Sequence, residues 1–223
     1  MMDAPFIPKE LLFQNLHELD LLNRNLGGHT ITLDGISKLV TDKNKTYHIV
    51  DLGCGSGDAL KQIAVWARLH GFNVRLTGVD LNAGAINYLE NQCRDFPEVK
   101  GIVSDWQNFL KSDNTIDILH CSLFCHHLHD EELTELFSLM QSHITTGFII
   151  NDLRRSRIAY YCVIAFTWLF NGSALSKNDG PLSVLRGFKS SELIGLIQNA
   201  GIKDYSIKRK WAFRFLIIGK TNE

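Results

Sequence analysis

Val50-Asp-Leu-Gly-Cys-Gly-Ser-Gly57 is the stretch on which the fold turns. The run from Tyr47 to Leu52 is short, apolar and ends in glycines, which reads as a buried strand. Glycines at 53, 55 and 57 let the backbone turn sharply and approach a ligand with no Cβ in the way. A helix begins near Asp58, with Leu60, Ile63, Ala64 and Ala67 on one face. Many nucleotide folds use this strand, turn and helix, so the details must discriminate. The dinucleotide fingerprint G-x-G-x-x-G seats a pyrophosphate on the helix N-terminus. Its last glycine corresponds here to Asp58, whose carboxylate would oppose that group. No Gly-Lys-Ser/Thr follows, which excludes a P-loop.

Outward from the loop, strands and helices alternate. Asn73–Val79, Lys100–Ser104, Ile116–Cys121 and Gly147–Asn151 read as further strands. Asn82 is expected to cap a helix through about Gln92, and Asp130 another whose buried face is Leu133, Leu136, Phe137 and Met140. Leu193, Leu196, Ile197 and Ala200 mark a later helix ending at Gly201, and Asp204–Lys210 with Ala212–Gly219 reads as a hairpin. Residues 1–45 read as a helical cap, with Gly27-Gly28 as a stop and a second short helix from about Leu33 to Val40. The expected architecture is α/β: a Rossmann-like, seven-stranded, mostly parallel sheet with helices on both faces and the last strand antiparallel. The expected domain spans 46–223, with an insertion over about 154–188. Ligands in such sheets bind beyond the carboxyl ends of the strands.

Two acids stand at those ends. Asp80 closes the second strand and can accept hydrogen bonds from both ribose hydroxyls. Asp105, after Ser104, can hold an adenine amino group, and Trp106 can lie against the ring.

Taken in order, these residues resemble the class I S-adenosylmethionine-dependent methyltransferases. The resemblance covers about 47–152. It implies that Asp51, Gly53, Cys54, Gly55 and Gly57 take the methionine part of the cofactor and that Asp80 and Leu81 take the ribose. Ser104, Asp105 and Trp106 would lie on the adenine side, and His120 and Cys121 would line the sulfonium end.

Cys121, Cys125, His126, His127 and His129 cluster within nine residues. Thiolates and imidazoles bind zinc, but the spacing matches no standard zinc pattern, so no metal is expected. In the family this loop faces the substrate cleft. His126 or His127 could act as general base, its pKa lying near neutrality; packing against Phe124 is the alternative. Asp152 is a second base candidate, or pairs with Arg154 or Arg155. The apolar run 158–170 reads as a core helix, an aromatic roof over the substrate (Tyr160, Tyr161, Phe166, Trp168, Phe170) or an interfacial segment preceded by arginines. It falls short of the roughly 20 residues a membrane span needs. The stretch 151–188 resembles methyltransferases of polyketide and quinone pathways, which implies a hydrophobic phenol or quinol-like acceptor. O-methylation is the expected reaction; C-methylation of quinone type and a non-catalytic binding module are the alternatives.

The chain has 223 residues, 45% hydrophobic and 21% charged, with a formal net charge of −1. That suffices for a full core, and the lack of basic excess argues against a nucleic-acid partner. Five cysteines at irregular spacing read as free thiols in a reducing cytoplasm, and the first residues lack a signal-peptide pattern. Oligomeric state is not legible.

Overall fold

A computed structural model describes residues 8–112, 115–169 and 173–221. In chain order the elements are α1 (Lys9–Asn25), α2 (Gly28–Leu39), β1 (Thr46–Leu52), α3 (Asp58–His70), β2 (Asn73–Asp80), α4 (Ala83–Gln92), β3 (Val99–Val103), α5 (Trp106–Lys111) and β4 (Ile116–Ser122). There follow a 3₁₀ turn (Cys125–His127), α6 (Asp130–His143), β5 (Ile144–Leu153), α7 (Arg157–Leu169), α8 (Ala174–Arg186), α9 (Ser190–Asn199), β6 (Asp204–Lys210) and β7 (Arg214–Lys220).

The seven strands lie in the order β3-β2-β1-β4-β5-β7-β6. The first five are parallel, and β7 runs antiparallel to both β5 and β6. The order reverses at β1, whose neighbours are β2 and β4, so the carboxyl end of β1 is the switch point where such sheets hold ligands. Both faces are covered. Residues of α2, α3 and α4 pack with Ile49, Ile118, Ile149 and Leu216 on one side. Residues of α5, α6 and α9 pack with Val50, Leu119, Ile150 and Ile217 on the other. Side chains alternate along a strand, so Asp51, His120, Asn151 and Arg214 share the α2 side, while Cys121 and Asp152 share the α6 side.

Local chemistry sets the helix ends. Asn82 caps α4, its side-chain oxygen accepting from the N–H groups of Gly84 and Ala85 at 2.8 and 3.3 Å. The cap of α6 falls one residue earlier than expected: His129 is the N-cap and Asp130 the first helical residue. There the Glu132 carboxylate accepts from the His129 N–H at 2.8 Å, so the acid of the first turn reaches back instead of forward.

Two helices escaped the sequence reading. α5 is a six-residue helix capped by Asp105, too short for periodicity to register. α8 contains Pro181, and Asn178-Asp-Gly-Pro181 resembles a loop. The core-helix reading of 158–170 is corrected: α7 buries only Ala159 and Thr167 and turns most of its apolar side chains outward. Its periodicity was helical, but nothing in periodicity says whether a partner covers it. Phe170, expected in the same run, lies outside the described residues.

Candidate cofactor and acceptor site

The glycine turn is held by β2. The N–H groups of Gly53 and Cys54 donate to the Val79 carbonyl at 2.8 and 3.2 Å. Gly53, Gly55 and Gly57 have φ of +64°, +51° and +73°, backbone conformations that a side chain strains. At Gly53 a Cβ would also stand 2.4 Å from the Phe124 ring. The Asp80 carboxylate accepts from the Gly55 N–H at 3.0 Å and from the Asn82 N–H at 2.9 Å. One carboxylate thus fixes both the loop and the start of α4, and it remains partly exposed. Leu81 beside it is 74% exposed.

At the third strand, the Asp105 carboxylate accepts from the N–H groups of Gln107 and Asn108 at 2.9 and 3.2 Å. The Ser104 hydroxyl donates to the Asp105 carbonyl at 2.9 Å. Trp106 is buried in the core, as is Cys54 on the opposite side. Cys121 departs from expectation. It has no exposed surface and faces the α6 side, where it meets Cys125. That contact and burial push the Cys125 thiol well above its usual range, which makes it an inert core residue.

Below the turn a polar layer crosses the α2 side of the sheet. Asp51 Oδ1 pairs with His120 Nδ1 at 2.7 Å, and His120 Nε2 lies 3.1 Å from the Thr32 hydroxyl on α2. The Asn151 amide donates to that hydroxyl at 3.2 Å and to the Gly28 carbonyl at 2.9 Å. The Asn151 and Asn23 side-chain carbonyls accept from the Arg214 guanidinium at 3.3 and 2.7 Å. Burial lowers the Arg214 pKa to about 10 and raises that of Asp51 above the usual carboxylate range in spite of His120. The Asn23 amide closes the chain by donating to Asp58 at 2.9 Å. Asp58 also meets His29 Nε2 at 2.7 Å and accepts from the Ser56 hydroxyl at 2.9 Å. Burial works against the charge on Asp58, but these donors outweigh it and hold its pKa below the usual range. Sequence reasoning missed Asn23, His29, Thr32 and Arg214. Polar residues on an amphipathic helix read as solvated, and only an arginine opening the apolar strand Phe215–Ile218 hinted at a buried cation.

On the α6 side, His126 Nδ1 pairs with Asp152 Oδ1 at 2.7 Å. Both side chains are at most 2% exposed. Asp152 also accepts from the N–H groups of His126 and Leu153 at 3.3 and 2.7 Å. Burial disfavours its charge, yet the His126 imidazole and these N–H groups bring its pKa below the usual range. His126 Nε2 is buried and has no hydrogen-bond partner among the described residues. The His127 ring lies 4.2 Å from that of His126. The expected pairing of Asp152 with Arg154 or Arg155 does not occur. Arg155 bonds Glu192 at 3.1 Å, and the Arg154 guanidinium stands 5.5 Å from the Phe213 ring centre. Leu123, just before this turn, has φ of +53°, a strained conformation of the kind that collects at functional sites.

Two coverings close over this edge. α1 lays Leu12 against Gly84 and Leu16 against Gly55. α8 packs against the 3₁₀ turn and against α1. Glu18 of α1 accepts from the Ser173 hydroxyl at 2.8 Å and from Ser176. A cavity of about 240 Å³ opens beside the loop, lined by Asp20, Ser56, Gly57, Asp58, Lys61 and Tyr88 among others. A larger one, about 650 Å³, lies at the other end of the strands, the amino end of β1 and β5, around Lys45, Thr145 and Lys220.

The sheet order, the glycine turn and the acid that ends β2 define a class I methyltransferase fold. Residues 49–147 match the Methyltransferase domain family, and this match supports a class I S-adenosylmethionine-dependent methyltransferase domain over that part of the chain. Over 112 residues it is 30% identical to the ubiquinone/menaquinone biosynthesis C-methyltransferase of Rickettsia felis, covering 48% of this chain and 44% of that protein. The chain therefore spans less than half the length of this curated relative. Among solved structures it is similar to an S-adenosylmethionine-dependent methyltransferase from Aquifex aeolicus (TM-score 0.68, 13% identity, covering 97% of this chain and 100% of that one). It is also similar to human N-acetylserotonin methyltransferase in complex with S-adenosylmethionine (TM-score 0.65, 13% identity, 97% and 57%).

Proposed function

We propose that this protein transfers a methyl group from S-adenosylmethionine to a small hydrophobic acceptor of phenol or quinol type, at oxygen. The single observation that carries the oxygen reading is the buried His126–Asp152 pair, with His126 Nε2 unpartnered beneath α8. The residues at the glycine turn suit the cofactor. A Cβ-free cradle stands at the switch point, and Asp80 keeps acceptor capacity at the loop. Asp51, Gly53, Cys54, Gly55 and Gly57 would hold the methionine part, Asp80 and Leu81 the ribose, Ser104 and Asp105 the adenine side. Trp106 and Cys121 would support from the core, and His120 would fix Asp51.

When bound, the cofactor supplies an electrophilic methyl group on sulfur. The chain's own residues do the rest. Asp152 holds His126 in the tautomer whose Nε2 accepts a proton, which is the arrangement a general base needs. The acceptor hydroxyl would give its proton to His126 Nε2, leaving the oxygen free to attack. His127, whose ring is tilted 36° to that of His126 with centres 4.2 Å apart, helps fix it. α1 and α8 exclude water and align the reactants, and alignment is worth on the order of 7–11 kcal/mol.

A second reading, methylation at carbon, draws on the likeness to the C-methyltransferase. Incubating the chain with S-adenosylmethionine and a panel of alkyl phenols and quinols, with products resolved by NMR, separates the two. O-methyl ethers support the first, ring-methylated products the second, and S-adenosylmethionine binding without product on any acceptor supports a binding module.

A further inference from the structure

α7 turns Ile158, Tyr161, Cys162, Ala165, Phe166 and Leu169 outward, at i, i+3, i+4, i+7, i+8 and i+11, one continuous stripe of a helix. Tyr161 is 67%, Trp168 71% and Leu169 79% exposed. No charged residue occurs from Ile158 to Leu169. Single exposed apolar residues are ordinary, but a contiguous stripe marks a surface that meets something. The opposite face is occupied: Val163 and Thr167 lie against Gly180 of α8.

Charge says what the stripe meets. From 154 to 189 the chain has Arg154, Arg155, Arg157, Lys177, Arg186 and Lys189 against Asp179 as the one acid, within a chain of net charge −1; Arg155 is engaged by Glu192, and the basic excess persists without it. Lys177 Nζ stands 5.3 Å from the Trp168 ring centre, a cation beside an amphipathic aromatic. Two copies docked stripe to stripe would bring like charges together. A surface with anionic headgroups over an apolar interior complements both features. The 13 residues of α7 extend about 20 Å, short of the roughly 30 Å hydrocarbon core. No helix among the described residues is long and apolar enough to cross a membrane.

We propose that α7 lies in the plane of an anionic bilayer, its stripe in the acyl boundary and its basic flanks among the headgroups. Because α8 joins α7 to the His126 turn, this docking sets the acceptor side of the sheet against lipid. The proposal is independent of methyl transfer, and its test needs no cofactor.

The full chain is sedimented with vesicles of phosphatidylcholine alone and of phosphatidylcholine mixed equally with phosphatidylglycerol. Binding to the mixed vesicles, with a blue shift of tryptophan emission and weakening in high salt, is the expected result. W168E combined with L169E lowers the bound fraction about tenfold or more, with an unchanged circular-dichroism spectrum because both positions are exposed. R157E combined with R186E lowers binding to the anionic vesicles while leaving the stripe intact. No binding to either vesicle overturns the proposal. So does equal binding by the folded W168E/L169E variant, or a dimer in sedimentation velocity that the same variant dissociates.

Discussion

His126 and Asp152 stand 26 positions apart in sequence, yet Nδ1 of the one lies 2.7 Å from a carboxylate oxygen of the other, both sealed from solvent. The relationship is made by the sheet. Ser122 at the end of β4 pairs with Asn151 of β5, so the turn that leaves β4 must fold over the next residue of β5. The buried carboxylate then has the imidazole Nδ1 beside it, and the ring has its Nε2 left over.

Asp152→Asn removes the charge that holds His126 and replaces one of the two accepting oxygens with an N–H donor. We expect kcat to fall by about 10²–10⁴-fold, while affinity for S-adenosylhomocysteine, read by calorimetry, stays within a few-fold. His126→Gln has the same pattern. An unchanged kcat in either variant, with O-methyl product still formed, removes the base from the mechanism.

Asp80→Ala takes away the acceptor shared by Gly55 and Asn82 together with the proposed ribose contact. Hydrogen bonds to a charged group contribute about 1.5–3 kcal/mol each, so S-adenosylhomocysteine affinity should drop by about 10- to 100-fold or more. Wild-type affinity in this variant would place the nucleoside elsewhere.

Gly53→Ala introduces a Cβ at φ +64° and 2.4 Å from the Phe124 ring. The backbone cost alone is about 1–2 kcal/mol, and Phe124 must shift as well. Thermal unfolding should show a lower midpoint, and cofactor binding should weaken further because Phe124 leads into the His126 turn. Gly71, also at positive φ but with open space around it, should show the backbone cost without the binding defect when replaced by alanine.

Asp58 has its folded pKa held below the ordinary carboxylate range. Its contribution to stability is therefore fully present above the unfolded value, about 3.9, and is lost as pH falls through the folded one. Asp58→Asn should lower stability by about 2–4 kcal/mol at neutral pH and should flatten the acid arm of the curve below about pH 4. Chemical denaturation at several pH values reads both effects. A variant whose acid arm is unchanged would assign that arm to other carboxylates.

Much of this was open to a reader of the sequence, and the reasons differ by residue. The glycine turn and Asp80 are local: a strand end, a positive φ and an acid each leave a mark within a few positions. His126 and Asp152 were both visible as candidates, but their pairing was not. Sequence neighbours favoured Arg154 and Arg155 as partners, and only strand order brings the histidine closer. The polar layer was invisible for a stronger reason. Asn23, Thr32 and His29 sit on helices whose buried and solvated faces look alike until the sheet beneath is known to carry Asp51, His120, Asn151 and Arg214. The exposed face of α7 is the reverse case, an apolar pattern with no cover.

Arg214 and Asn23 meet across 191 positions, at 2.7 Å, beneath the glycine turn. Loops that long are slow to close, and the guanidinium cannot settle until β7 is seated beside β5. A ribosome-bound chain that has made the glycine turn, Asp80 and both histidines still lacks the cation under them. The polar layer is thereby completed only when the β6–β7 hairpin has found the sheet.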